Sequence, residues 1–325
     1  FRSIYNVSVE GGELDIRFST NIAEDELLIY GSLGTGTWLT QETKTRASSS
    51  YMLNLTVLPN TDGVSRTAYI YFVKVTDMES IVVEMVTIIQ RGEVASESTD
   101  YSSDKKVRVL QTAKLGKGLP IVLMGDGFID TEINDGTYDA VMDKAFENLF
   151  TEEPIKSLRD YFNVYAVTAV SKHNIFGTGY ETALGCELAG GNSTGISGED
   201  NAVQRYVQCV DNIDMSETLA VVILNSPAYA GTTYFGYTNQ TKVVEFAIAY
   251  CPVIYDLQSE SFRQVLVHEA VGHGFAKLED EYAYQENGTI SSKEIKYVQY
   301  LQTLGWAQNV DFTSDPSQVL WSAFL

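Results

Sequence analysis

One short stretch, residues 265–282, constrains this chain more than any other, because it contains two of the three histidines. His268 and His273 lie within it, Glu269 follows the first histidine, and three acidic residues come shortly after the second. Histidine is the commonest zinc ligand, and a catalytic zinc site takes three protein ligands. A glutamate beside the first ligand is placed to accept a proton from water. The stretch therefore predicts a zinc-dependent hydrolase; the alternative is two helix histidines that bind nothing.

The two histidines are five residues apart, one more than in the common His-Glu-x-x-His motif. On an α-helix a five-residue step turns a side chain by about 140°, so the two imidazoles would point apart. A π-bulge absorbs one residue and returns both to one face, and such bulges favour functional sites. We expect a helix over residues 260–274 that is bulged near Gly272. We also expect Gly274 to turn the chain back toward the metal.

Composition limits the classes of protein that this chain can belong to. Its 325 residues suggest about two domains, and its net charge of -21 argues against nucleic acid or an anionic membrane as partner. The apolar runs are short, so we expect no transmembrane segment. Three widely separated cysteines form no metal-binding pair. The chain begins at Phe1, not Met, so we expect that an export segment has been removed.

Residues 1–93 show short alternating stretches separated by turn residues, which is typical of a small antiparallel β-sandwich. Residues 94–104 are polar and serine-rich, and they are interpreted as a linker. From residue 105 to 325, apolar strands alternate with helical spacing, which predicts a three-layer α/β domain with a mixed sheet. Glycine-punctuated residues 229–236 are the candidate edge strand for a peptide substrate.

Two resemblances extend this interpretation. Segments that include Phe18-Ser-Thr-Asn21 and Ile88-Ile-Gln-Arg-Gly92 resemble the BACON module, for which glycan or mucin binding has been proposed; we expect a spacer, with glycan binding as the alternative. The motif from His268 to Tyr282, with its Leu278-x-Asp-Glu-Tyr282 ending, resembles the peptidase M64 family, the IgA-protease-type zinc peptidases of Bacteroides-like bacteria.

The second resemblance implies a zincin-like metallopeptidase domain over residues 105–325, with Zn²⁺ as cofactor. Asp280 is the expected third ligand beside His268 and His273, with Glu281 as the alternative, and Glu269 is the expected general base. His173 is expected to be a loop residue without a metal role. Tyr282 is expected either near the site or in packing.

The second resemblance implies a secreted or periplasmic zinc endopeptidase, and we expect a secreted, periplasmic or cell-surface location. We also expect a monomer that acts on protein or peptide substrates, with host glycoproteins or immunoglobulin as candidates. Two other functions stay open: a surface glycan- or mucin-binding protein with an inactive peptidase-like domain, and a zinc amidase. The chain stops within an apolar run, residues 319–325, and has no methionine after Met215 to form the turn found below the metal in many zincins. We therefore expect the catalytic domain to continue beyond Leu325.

Overall fold

The fold is described from a computed structural model. It describes residues 4–7, 9, 11–32, 38–47, 50–60, 66–76, 80–90, 96–177, 180–188, 195–281 and 289–324. Across these ranges, no helix has both the length and the apolar character that a membrane crossing requires.

Two β-sheets packed face to face form the amino-terminal domain. Its strands are β1 (Ile4–Val7), β2 (Gly12–Ser19), β3 (Leu27–Ser32), β4 (Leu39–Ala47), β5 (Ser50–Val57), β6 (Arg66–Val75) and β7 (Ser80–Gln90). One sheet has the order β1-β7-β6-β3 and the other β2-β5-β4, and all pairs are antiparallel except β1 with β7. The predicted all-β sandwich is confirmed. Trp38 belongs to its core and is only 7% exposed.

The serine-rich segment that follows is bonded to the second domain. The Ser98 hydroxyl donates to the carbonyl of Ser171 over 2.7 Å. The Asp100 N–H donates over 2.7 Å to the carboxylate of Asp130, at the start of the first helix. Ser98 is buried. These contacts attach the expected linker to the second domain before its first strand begins.

A mixed six-stranded sheet is the centre of the second domain. The strands of the whole domain, inside and outside this sheet, are β8 (Val107–Gln111), β9 (Leu119–Asp126), β10 (Phe162–Val167), β11 (Glu187–Leu188), β12 (Ile196–Ser197), β13 (Leu219–Leu224), β14 (Thr232–Tyr234), β15 (Thr238–Asn239), β16 (Lys242–Val243) and β17 (Ala247–Pro252). The sheet order is β14-β17-β13-β9-β10-β8, with four parallel inner strands and an antiparallel strand at each edge. The pairs β11–β12 and β15–β16 form small separate hairpins.

Helices cover both faces of this sheet. They are α1 (Asp130–Asn134), α2 (Thr137–Leu149), α3 (Asp200–Val207), α4 (Glu260–Val265), which continues as a π-helix (Leu266–Phe275), and α5 (Ser292–Thr303). The buried residues of α2, α4 and the π-helix share one core, and those of α3 share the core on the opposite face. Every residue of β13 is buried, as expected for a strand covered on both sides. The predicted mixed sheet with helices is confirmed.

The motif helix departs from α geometry over a longer stretch than predicted. It begins at Ser259, whose side chain accepts a hydrogen bond from the N–H of Phe262. The helix is α up to Val265 and π over the next ten residues, in place of a single bulge. Its last turn closes where the N–H of Ala276 donates to the carbonyl of Val271, a five-residue step. This spacing matches the step between the two histidines.

The two glycines of the motif have different roles from those expected. Gly274 lies inside the π-helix, and the left-handed residue after the helix is Lys277, with φ 55°. A Cβ on Gly274 would lie 2.6 Å from the Leu219 side chain, so glycine here allows the helix to approach β13 closely. A Cβ on Gly272 would make only an ordinary contact, 3.6 Å from the carbonyl oxygen of Val267. Crowding therefore explains Gly274 and does not explain Gly272.

Candidate metal centre

Two imidazoles and one carboxylate converge at the π-helix. The Nε2 atom of His273 lies 3.2 Å from Nε2 of His268 and 3.1 Å from Oδ1 of Asp280. The remaining pair, Nε2 of His268 and Oδ1 of Asp280, is 3.4 Å apart. In the part of the chain that the structure describes, this is the one group of three metal-ligating side chains close enough to hold an ion.

The spacing of these three atoms fits a tetrahedral zinc ion. With metal–ligand bonds of about 2.0–2.1 Å and tetrahedral angles, neighbouring ligand atoms are separated by about 3.3 Å. The three observed separations lie between 3.1 and 3.4 Å. Two histidines with one carboxylate are also a ligand set known from catalytic zinc sites. The donor atoms therefore fit zinc in both chemistry and distance.

The orientation of the His273 ring gives a second reason to expect a cation. Its Nδ1 atom is 2.6 Å from the carbonyl oxygen of Leu278, which can only accept, so Nδ1 donates its proton there. In a neutral ring, Nε2 then holds a lone pair that faces the carboxylate of Asp280. A lone pair and a carboxylate repel one another unless a positive charge is present, either a proton on Nε2 or a metal cation between the two atoms. The backbone contact at Nδ1 also fixes the orientation of the ring.

Glu269 is held beside this group by the edge strand β14. Its side chain is only 6% exposed, and the hydroxyl of Thr233 lies 2.8 Å from its Oε2 atom and 2.9 Å from its backbone carbonyl oxygen. Burial raises the pKa of the Glu269 carboxyl, and the Asp280 charge acts in the same direction. The Thr233 hydrogen bond and the nearby imidazoles oppose that rise. Glu269 therefore has a fixed position and an environment that favours proton uptake.

The approach of β14 to Glu269 requires a glycine. A Cβ on Gly231 would lie 2.5 Å from Oε1 of Glu269 and 2.7 Å from the side chain of Val265. We did not predict this contact or the Thr233 hydrogen bond, although a glycine within a strand pattern is a recognised sign of close backbone approach. The sequence predicted an edge strand within residues 229–236, and β14 does lie at one edge of the mixed sheet.

The other candidate residues lie outside the cluster of three ligand atoms. Glu281 is exposed, and its Oε1 atom accepts a hydrogen bond from Asn309 over 3.0 Å. The ring of His173 accepts a hydrogen bond from the backbone N–H of Glu181, which agrees with its expected place in a loop. Tyr282 lies outside the described residues.

Two family models match the chain. The model described as IgA Peptidase M64 matches residues 107–325, and the BACON model, described as a putative binding domain, matches residues 23–91. No curated protein matches the chain.

Similar solved structures include a Bacteroides ovatus GH5 xyloglucanase in complex with a XXXG heptasaccharide. It is 16% identical, with a TM-score of 0.22, and the match covers 32% of this chain and 19% of the xyloglucanase. A GspB Siglec domain is 13% identical, with a TM-score of 0.21, over 62% of this chain and 88% of that domain. The peptidase model covers well over half of the chain and includes the whole candidate metal centre. The chain therefore belongs to the IgA Peptidase M64 family.

Proposed function

We propose that the chain is a zinc-dependent endopeptidase in which His268, His273 and Asp280 hold the ion and Glu269 is the general base. The observation that carries the proposal is the separation of the three donor atoms, 3.1–3.4 Å, beside a buried glutamate. Zinc bound there would act as a Lewis acid and bring the pKa of a water molecule to about 7. Membership of a peptidase family supports a peptide bond as the one cleaved.

Glu269 performs the proton transfers in this proposal. Its carboxylate accepts a proton from the attacking water and then donates it to the amine that leaves. The hydrogen bond from Thr233 to Oε2 keeps the carboxylate in one orientation during both transfers. Because burial already raises the pKa of Glu269, the protonated form that must exist between the two transfers is easier to reach.

The edge strand β14 offers a place for the substrate backbone. One side of β14 pairs with β17, and its other side forms the edge of the sheet. An extended peptide can add to such an edge as a further strand, with backbone hydrogen bonds that do not depend on its sequence. Thr233 is the central residue of β14 and also contacts Glu269, so a peptide on this edge would lie close to the general base.

A metal measurement combined with one substitution tests the proposal. Full-length protein purified without chelator should contain one zinc per chain, and so should Glu269→Gln, since both imidazoles remain. Hydrolysis of an unstructured peptide by Glu269→Gln should fall by about 10²- to 10⁴-fold. Glu260→Gln, which changes an exposed acid in the first turn of the same helix, is the matched control and should retain activity.

Three results would count against this assignment. Protein that contains no zinc and takes up none on titration would exclude the metal. Unchanged hydrolysis by Glu269→Gln would exclude that residue as the base. Cleavage of small N-acyl compounds without cleavage of internal peptide bonds would favour a zinc amidase.

We further propose that the protein acts outside the cytoplasm on extracellular proteins, with host glycoproteins or immunoglobulin as candidate substrates. Both matched families are typical of extracellular or surface proteins, which supports this location. The family description names IgA, which is the reason that immunoglobulin is one of the candidates.

A pair of tyrosines favours a binding role for the amino-terminal domain over that of a spacer. Tyr30 is 46% exposed, and its ring centroid lies 5.3 Å from that of Tyr71 on the neighbouring strand. Aromatic rings with polar tips suit sugars, which present both apolar C–H faces and hydroxyls.

The double change Tyr30→Ala with Tyr71→Ala should weaken binding of the full chain to a mucin preparation. Tyr101→Ala, another exposed tyrosine, should not. If the native chain, the double variant and Tyr101→Ala all bind mucin equally well, the domain acts as a spacer.

A further inference from the structure

Asp280 reaches the metal centre from a segment that is neither helix nor strand. His268 and His273 lie on the π-helix, whose backbone is fixed by its own hydrogen bonds, whereas residues 277–281 form a coil after it. A functional side chain must be held within about 0.5 Å of its working position. A coil reaches that precision only if other contacts fix its backbone.

The first half of this coil is bonded back to the π-helix. The N–H of Leu278 donates to the carbonyl of Gly272 over 3.0 Å, and the Leu278 carbonyl lies 2.6 Å from Nδ1 of His273. These contacts fix the chain up to Leu278. The two residues that then lead to the Asp280 side chain need support from another part of the protein.

That support comes from the side chain of Asn309. The Glu279 N–H donates to Oδ1 of Asn309 over 3.0 Å, and Nδ2 of Asn309 donates to the Glu279 carbonyl over 2.7 Å. One side chain thus satisfies both backbone groups of the residue just before Asp280, as a neighbouring strand would. The same Nδ2 group also donates to Oε1 of Glu281 over 3.0 Å. Close by, the N–H of Ala307 donates to the carbonyl of Lys277 over 2.8 Å.

The segment that contains Asn309 is itself well anchored. Gln302, in the last turn of α5, donates to the carbonyls of Ala307 and Val310 over 3.3 and 2.9 Å. Trp306 is only 5% exposed, and its ring packs edge-on against Phe235 with centroids 5.8 Å apart. A side chain on such a segment can hold a neighbouring coil in place.

We propose that Asn309 is a positioning residue that fixes Asp280 against the two histidines and thereby sets the affinity for zinc. It fixes the backbone at Glu279, and it binds the Glu281 carboxylate, which leaves Asp280 as the acid that completes the ligand set. The inference rests on the proposed zinc role of His268, His273 and Asp280. Contacts that orient ligands in this way typically change metal affinity 10- to 100-fold.

The test is a zinc titration of the full chain in competition with a chromophoric chelator. Asn309→Leu keeps the approximate shape of the side chain and removes all three hydrogen bonds, so its zinc dissociation constant should rise about 10- to 100-fold. Gln308→Leu is the matched control, because among the residues that the structure describes this neighbouring amide donates only to the carbonyls of Gln302 and Trp306. Its dissociation constant should equal that of the unmodified chain.

A double substitution separates positioning from a general effect on folding. If Asn309 acts through Asp280, Asn309→Leu should change zinc affinity less than about threefold in an Asp280→Ala background. Equal weakening in both backgrounds, or unchanged affinity of Asn309→Leu in the native background, would overturn the proposal.

Two further outcomes are informative. If Asn309→Leu does not fold, Asn309→Asp replaces it: this variant is isosteric and presents a carboxylate to the Glu279 carbonyl, so it should also weaken zinc binding. Unchanged affinity of a folded Asn309→Asp protein would then overturn the inference. Absence of zinc binding by the unmodified chain would overturn the proposed function itself, and this inference with it.

Discussion

The position of the Glu269 carboxylate depends on the absence of a side chain at Gly231. A methyl group there would lie 2.5 Å from Oε1 of Glu269, so Gly231→Ala must displace the carboxylate or the edge strand. We expect this variant to bind zinc normally, because the atoms nearest to an added Cβ belong to Glu269 and Val265 and not to the three ligands. We expect it to hydrolyse peptide at least about tenfold more slowly.

Zinc content and the rate of peptide hydrolysis, measured on the same preparation, check this prediction. Gly195→Ala is the control, since a Cβ at Gly195 would meet no atom within 4 Å. Native hydrolysis by Gly231→Ala would mean that the general base tolerates displacement or is a different residue.

Among individual residues, the candidate site residues that lie close together in the sequence could be predicted. The residues that hold them in position through hydrogen bonds could not. His268, Glu269, His273 and Asp280 lie within one short stretch, and the structure brings the two histidines and Asp280 together. Their role as zinc ligands stays a prediction. Thr233 and Asn309 contact the site through the fold, from positions 36 and 30 residues away from their partners. No local spacing rule connects residues across such distances.

At the scale of elements, the turn after the π-helix contains a buried amine. Lys277 is 3% exposed, its ammonium group donates to the carbonyl of Gly274 at the end of the helix, and it lies 5.7 Å from the ring centroid of Trp306. Burial lowers the pKa of Lys277 from its ordinary 10.5 to about 8, although the charge of Glu245 acts in the opposite direction.

This pKa shift predicts how stability changes with pH. Below about pH 8, Lys277 is charged in both the folded and the unfolded chain. Between about pH 8 and 10.5 the unfolded chain binds more protons, so this residue makes the free energy of unfolding rise with pH, by about 3 kcal/mol over the whole interval. Lys277→Met should lack that rise.

Urea unfolding of the metal-free proteins at several pH values between 7 and 10.5 measures the difference, because other titrating groups are common to both. Parallel pH profiles for the native chain and Lys277→Met would show that the amine is not buried as described.

The motif helix shows how much of a helix's geometry can be predicted from the spacing of its histidines. The five-residue step between His268 and His273 required a departure from α geometry, and the structure has a π-helix over both residues. The length of that π-helix, ten residues, was not predictable from the step, because a single bulge would also satisfy it. The chain reversal was assigned to Gly274, because glycine is the common left-handed residue, but it occurs at Lys277.

At the scale of the whole molecule, the two domains share a buried contact. Ile89, at the end of the sandwich, is 1% exposed and belongs to the same core cluster as Val122 and Met124 of the mixed sheet. Removal of residues 1–93 should therefore lower the thermal unfolding midpoint. Zinc binding and peptide hydrolysis should remain, because the segment around Ser98 keeps its own bonds to the second domain.

Calorimetry, zinc titration and a peptide assay on the truncated protein check this expectation. The control is Ile89→Ala in the full chain, which shortens the side chain in the shared contact and should lower the midpoint as well. A truncated protein that binds zinc normally but cleaves no peptide would show that the sandwich contributes to the active site.

The folds of the two domains could be predicted from the sequence more fully than the contact between them. Strand alternation predicted the sandwich, and buried strands alternating with helical spacing predicted the mixed sheet, since both patterns follow directly from which faces are covered. The contact at Ile89 was not predictable. A buried isoleucine near the end of a strand is equally consistent with packing inside its own sandwich.

The hydrogen bonds between Asn309 and Glu279 can form only late in the synthesis of the protein. A ribosome synthesises His268, Glu269, His273 and Asp280 well before Asn309, which follows Glu279 by thirty residues. In the proposed site, a nascent chain that ends at Glu281 contains all three expected zinc ligands and the expected general base, but it lacks the Asn309 side chain that bonds to Glu279. We therefore expect tight zinc binding only after Asn309 has been synthesised and has bonded to Glu279.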